Sequence, residues 1–78
     1  MGPMRITNPA NGATYLIDPT LRAQFQTVRL RASAPVTWQV NQRRIGSGQS
    51  VEWQLTPGVH MITATDARGS DSVKIFVR

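Results

Sequence analysis

Residues 56 to 77 read TPGVHMITATDARGSDSVKIFV, and the stretch admits two incompatible readings. It holds a histidine, two aspartates and two serines, the ingredients of a hydrolase triad. It also alternates apolar with polar residues on both sides of Arg68-Gly69, the mark of a β-hairpin. Distance separates the two. On one strand rising about 3.3 Å per residue, His60 and Asp66 stand roughly 20 Å apart, whereas a base and its nucleophile must approach to about 3 Å. A reversal centred on Arg68-Gly69 sets Asp66 opposite Asp71, Ala64 opposite Val73, Ile62 opposite Ile75 and His60 opposite Val77. Ser72 then lies beside Thr65 and Ser70 falls in the turn, so neither serine reaches the histidine.

The hairpin reading gives each residue a place. Ile62, Ala64, Val73, Ile75 and Val77 share one face and form a core side together with Trp38 and Trp53 from other strands. His60, just after the Pro57-Gly58 turn, is read as a structural residue bonded to backbone. Asp66 is read as the carboxylate that accepts amide hydrogens in the turn ending at Gly69. The opposite face carries Val59, Met61, Thr63, Thr65, Ser72, Lys74 and Phe76, with Met61 opposite Phe76. An apolar pair on a wet face is a docking spot unless something covers it, and the N-terminal segment with Ile6, Tyr15 and Ile17 is expected to do so.

Working outward, the same period of two recurs. Val28, Leu30 and Ala32 alternate with Arg29 and Arg31; Val36, Trp38 and Val40 with Thr37 and Gln39; Val51, Trp53 and Leu55 with Glu52 and Gln54. Both tryptophans are in phase with core residues and are expected to be buried. Breaks fall at Asn8-Pro9, Asn11-Gly12, Asp18-Pro19, Ala34-Pro35, Gly46-Ser47-Gly48, Pro57-Gly58 and Arg68-Gly69. The segments between them are 4 to 7, 13 to 17, 26 to 32, 36 to 40, 43 to 46, 50 to 55, 59 to 66 and 71 to 77. Short, regularly spaced strands of this kind build an antiparallel sandwich or a small barrel. Only Asp18-Pro19-Thr20-Leu21-Arg22 resembles a helix start, long enough for one turn.

Composition narrows the function classes. With 78 residues the chain is one domain at most, too small for a roomy catalytic cleft. It has no cysteine, one histidine, one glutamate and three aspartates, a poor supply for a transition-metal site, and no metal or other cofactor is expected. No apolar run approaches the roughly 18 residues that span a bilayer, and MGPMR has no signal-peptide core. Residues 1 to 4 read as an initiator with a cloning remnant, and 5 to 78 as the domain. Eight arginines and one lysine against four acids give a net charge of +5, which suits a polyanionic neighbour. These cations are spread along the chain, as on an ordinary solvated surface.

Trp38-Gln-Val-Asn41, Val51-Glu-Trp53-Gln-Leu55, Pro57-Gly58-Val-His60-Met-Ile62-Thr-Ala64-Thr-Asp66-Ala-Arg-Gly69 and Val73-Lys-Ile75-Phe-Val77 together resemble the C-terminal domain of the penicillin-binding protein 1C family. The opening Ile6-Thr-Asn-Pro9-Ala-Asn-Gly12-Ala-Thr-Tyr15, followed by Asp18-Pro19, is similar to that domain's start. The likeness covers residues 5 to 78. One departure is Asn41-Gln42, where the family has Asn-Gly. Pairing Val40 with Arg43 and Trp38 with Ile45 needs a two-residue turn whose second position has positive φ, and glutamine there costs about 1 kcal/mol.

The resemblance implies an immunoglobulin-like or fibronectin type III-like antiparallel β-sandwich of about seven strands. It implies a parent anchored in the inner membrane and facing the periplasm, a peptidoglycan synthase with glycosyltransferase and transpeptidase domains ahead of this module. The S-x-x-K, S-x-N and K-T-G motifs of the transpeptidase are absent, and Glu52 has no second carboxylate for glycosyl chemistry. The expected role is therefore a non-catalytic, monomeric accessory module that docks another envelope protein, with a bacterial α2-macroglobulin as one such partner, or positions the synthase in cell-wall synthesis. Met61 and Phe76, and the edge strand with Arg43 and Arg44, are the candidate contacts. Direct binding of peptidoglycan or anionic wall polymer, through Arg29 and Arg31 about 7 Å apart on one strand, is the alternative. Nucleic acid is not expected, because no basic sheet surface carries exposed aromatics.

Overall fold

The computed structural model describes residues 4 to 78. Its strands are β1 (Ile6–Asn8), β2 (Thr14–Tyr15), β3 (Thr27–Val40), β4 (Arg43–Gln54), β5 (Gly58–Asp66) and β6 (Gly69–Val77), with one 3-10 turn at Ala23–Phe25. The order is β1-β3-β5-β6-β2, and β4 pairs with β3 along the latter's other edge. All pairings are antiparallel except β2 with β6, where Thr14 lies beside Phe76 and Tyr15 beside Val77.

Two expected breaks do not end strands. Segments 26 to 32 and 36 to 40 are one strand, β3, and segments 43 to 46 and 50 to 55 merge into β4. The breaks survive as bends: the β3–β4 ladder is interrupted between Arg31 and Val36, so Pro35, which has no N–H to give, falls in the interruption. The first half of β3 pairs with β1 and the end of β4, and its second half with β5 and the start of β4. The ribbon therefore folds over itself, and its halves face each other as two layers of a sandwich.

Alternation explains what fills the space between them. Val28, Leu30, Ala32, Val36, Trp38 and Val40 of β3 meet Ile62, Ala64, Val73, Ile75 and Val77 of β5 and β6 in one buried cluster. Trp38 is fully buried (0 % exposed), and its indole N–H donates to the Gly48 carbonyl oxygen at 3.0 Å, pinning the bend of β4. Met4 packs in the same cluster.

The hairpin register differs from the expected one by two residues. Ala64 faces Asp71, Ile62 faces Val73, His60 faces Ile75 and Gly58 faces Val77, around a turn made of Ala67 and Arg68. Asp66 faces Gly69, and its Oδ1 accepts the amides of Arg68 (2.8 Å) and Gly69 (3.1 Å), so the carboxylate clamps the chain one residue earlier than Arg68-Gly69. An even shift leaves every side chain on its own face, which is why the core list is unchanged. Ser72 stands opposite Thr63, not Thr65, and Ser70 opposite Thr65.

At the other hairpin, Val40 pairs with Arg43, and Asn41 (φ 53°) and Gln42 (φ 71°) form a type I′ turn. Trp38 pairs with Gly46, not Ile45, because an irregularity between Trp38 and Gln39 shifts the ladder by one residue. At the one expected helix start, Asp18 forms a single turn, its Oδ1 accepting the Thr20 amide and its carbonyl the Leu21 amide.

Candidate functional site

The outer face of β5, β6 and β2 is open. Thr14, Phe76 and Val59 lie in one row across three strands, with Met61 and Leu16 diagonal to it. Phe76 is half-buried, while Met61, Val59 and Leu16 are 42 %, 58 % and 76 % exposed. Met61 is opposite Lys74, and Val59 is the residue opposite Phe76, a consequence of the two-residue register shift. The expected N-terminal cover is not there. The segment adds a strand beside β6 instead of lying across the face, and Ile6, Tyr15 and Ile17 pack against the core. Four apolar side chains rimmed by Thr14, Lys74 and Arg78 thus form one patch, of which alternation alone pointed to three; Leu16 joins only because β2 runs parallel to β6.

The two arginine pairs separate. Arg29 Nη2 lies 3.1 Å from Glu52 Oε1, its cross-strand neighbour, in an exposed ion pair. That charge is already answered, which weakens an anion site built on Arg29 and Arg31. Arg31, opposite Ser50, borders a hollow of about 390 Å³ with Thr7, Ser33 and Gln49. Arg43 and Arg44 are exposed at the start of β4, at the opposite end of the sandwich from the Gly46 to Gly48 bend.

His60 is buried and fully wired. Its Nε2 lies 2.8 Å from the Thr56 carbonyl oxygen, which can only accept, so Nε2 carries the proton. Its Nδ1 then accepts from Asn41 Nδ2 at 2.9 Å, consistent with Asn41 Oδ1 accepting the Met61 amide. The Thr56 hydroxyl, 3.3 Å from Nε2, therefore faces a donor and finds no base. The histidine ties the Asn41-Gln42 turn to the loop at Thr56. Gly58, at φ 125°, passes under the ring: a Cβ there would stand 3.8 Å from Nε2 in a conformation that side chains resist.

Trp53 departs from expectation. It faces between the layers but stands at their open end, half-buried, its ring meeting His60 edge-on with centroids 4.8 Å apart and planes at 69°. With Val40, Asn41, Arg43, Ile45, Thr56 and His60 it surrounds a cavity of about 320 Å³. Arg43 and Trp53 are ten residues apart on β4, roughly 33 Å if the strand were straight, so this cavity exists only because the ribbon folds back. Asn41 and Thr56 had no signal in the sequence beyond their turn positions.

No curated protein matches the chain. Among solved structures, a fibronectin(III)-like module of Clostridium thermocellum CbhA is similar, with 25% identity, 96% of this chain and 95% of that chain covered, and a TM-score of 0.70. The fold is accordingly the fibronectin type III-like β-sandwich that the alternation and the resemblance implied. A model of the Penicillin-Binding Protein C-terminus Family matches residues 1–76, essentially the whole sandwich from the buried Met4 to the last core strand, and the chain belongs to that family.

Proposed function

We propose that this domain is a non-catalytic accessory module of an envelope-associated penicillin-binding protein, and that it docks another envelope protein through the patch of Leu16, Val59, Met61 and Phe76. The observation that carries the reading is the apolar sheet face itself: Val59 and Met61 on β5 and Leu16 just past β2 are three of the five large apolar side chains exposed among the described residues, the other two, Leu21 and Phe25, lying just before and in the 3-10 turn. The committed tautomer of His60 supports a role without chemistry. In this reading the parent is a peptidoglycan synthase anchored in the inner membrane, the module faces the periplasm as a monomer, and a bacterial α2-macroglobulin is the first bait.

Burying an apolar side chain of this size is worth about 1.5 to 3 kcal/mol. Met61→Glu should therefore weaken capture of the partner by roughly tenfold or more while circular dichroism stays native. Unchanged capture removes this face. In-cell crosslinking of the full-length parent with and without the domain identifies the adducts that depend on it. A second reading, direct contact with wall glycan, is favoured by one observation: the half-exposed Trp53 and Arg43 line the same cavity.

A further inference from the structure

We propose that the cavity at the open end of the sandwich binds a single pyranose ring bearing a carboxylate; this rests on the second reading above, contact with wall glycan, and is independent of the docking patch on β5, β6 and β2. Size comes first. About 320 Å³ lies at the lower limit of small-molecule pockets, enough for one ring with a substituent and too little for a strand or helix of a partner. The chemistry of the wall comes next. Trp53 is half-buried and lines the cavity, and an indole is the side chain suited to the C–H face of a sugar ring. Arg43 offers a guanidinium that, among the described residues, has no carboxylate within ion-pair distance, unlike Arg29. The Thr56 hydroxyl and the exposed Asn41 supply hydrogen-bonding groups of the kind that read ring hydroxyls and amides.

The wall is also held in place before any ligand arrives. The type I′ turn fixes Asn41 and the start of β4, and His60 bonds this turn to Thr56 while its ring packs against the indole with the two planes at 69°. A site whose parts are already ordered loses little side-chain freedom on binding. This gives the otherwise purely architectural network around His60 a second use, as the support of a recognition surface.

The test is a titration of the 78-residue chain followed through amide and indole N–H resonances. N-acetylmuramic acid is the probe, a pyranose with a carboxylate arm; N-acetylglucosamine is the same ring without the arm, and acetate and benzoate carry the charge without the sugar. N-acetylmuramic acid should move the Trp53 indole N–H and the Thr56 amide with a Kd of about 1 mM, the scale for one small ring, and leave the Trp38 indole N–H in place. N-acetylglucosamine and Arg43→Gln should each bind about tenfold more weakly. Arg43 is exposed, so its replacement leaves the fold intact, and Met61→Glu should leave this titration unchanged. No shift at Trp53 by about 10 mM probe, equal shifts with acetate or benzoate, or undiminished binding by Arg43→Gln would each overturn the proposal.

Discussion

Trp38→Phe should be among the most damaging single-ring substitutions in this domain, because one side chain both fills the core and pins the fold-back of β4. The indole is fully buried and its N–H meets the Gly48 carbonyl at 3.0 Å. Losing that bond costs about 1 kcal/mol, and more if the carbonyl finds no water. Phenylalanine is smaller by about 40 Å³, which at about 24 cal/mol per Å³ adds roughly 1 kcal/mol of cavity. The apolar surface no longer buried adds somewhat less than 1 kcal/mol. The sum is about 3 kcal/mol, against about 3 to 5 kcal/mol for the stability of a single core of this size. Urea unfolding followed by far-ultraviolet circular dichroism measures it: the midpoint should fall with the slope unchanged. Trp53→Phe, at the open end, should lose under about 1 kcal/mol in the same assay. A loss below about 1 kcal/mol for Trp38→Phe would refute the idea that this indole holds the two layers in register.

Two further perturbations test the turns. Gln42 sits at φ 71°, a conformation that costs an L side chain about 1 kcal/mol, so Gln42→Gly should raise the urea midpoint by the equivalent of about 0.5 kcal/mol after glycine's greater freedom when unfolded is subtracted; a lower midpoint contradicts the type I′ assignment. The Asp18 carboxyl is held below its ordinary range, first by the Thr20 hydroxyl and then by the Thr20 amide. Folding therefore favours its anion, a contribution present above the ordinary carboxylate range and lost as pH falls through the folded-state value. Thr20→Val should shift the Asp18 carboxyl titration, read by NMR, upward toward the usual range; an unmoved titration would show that the hydroxyl has no part in it.

Side-chain facing was legible in the sequence because it depends only on parity. Val28, Leu30, Ala32, Trp38, Ile62, Ala64, Val73 and Ile75 alternate strictly, and all are buried. Register was not legible, because it depends on which residues the turn takes up: Asp66 clamps Ala67 and Arg68 and moves the whole hairpin by two. The irregularity beside Trp38 and the passage of β3 through Ala34-Pro35 likewise depend on how two layers must meet, which no local residue preference states. The same gap hid the candidate sites. Leu16 joins the docking patch through a parallel pairing with a strand more than fifty residues away, and Trp53 stays half-exposed because its alternation marks the inward face without saying that the face ends there.

The parallel pairing of β2 with β6 has a mechanical consequence. Gly12 and Lys74, Ala13 and Phe76, Tyr15 and Arg78, and Ile17 and Arg78 are joined by backbone bonds of 2.7 to 2.9 Å, so the segment near the chain's beginning is stitched alongside its end. Tension drawn through the two ends of such an arrangement slides one strand lengthwise past the other. All four stitches then share the load and must give way together, whereas an antiparallel hairpin pulled from its open end peels one rung at a time. The weakest-looking strand of the sandwich, two residues by its formal bounds, is thus the one that would bear the strain of such a pull.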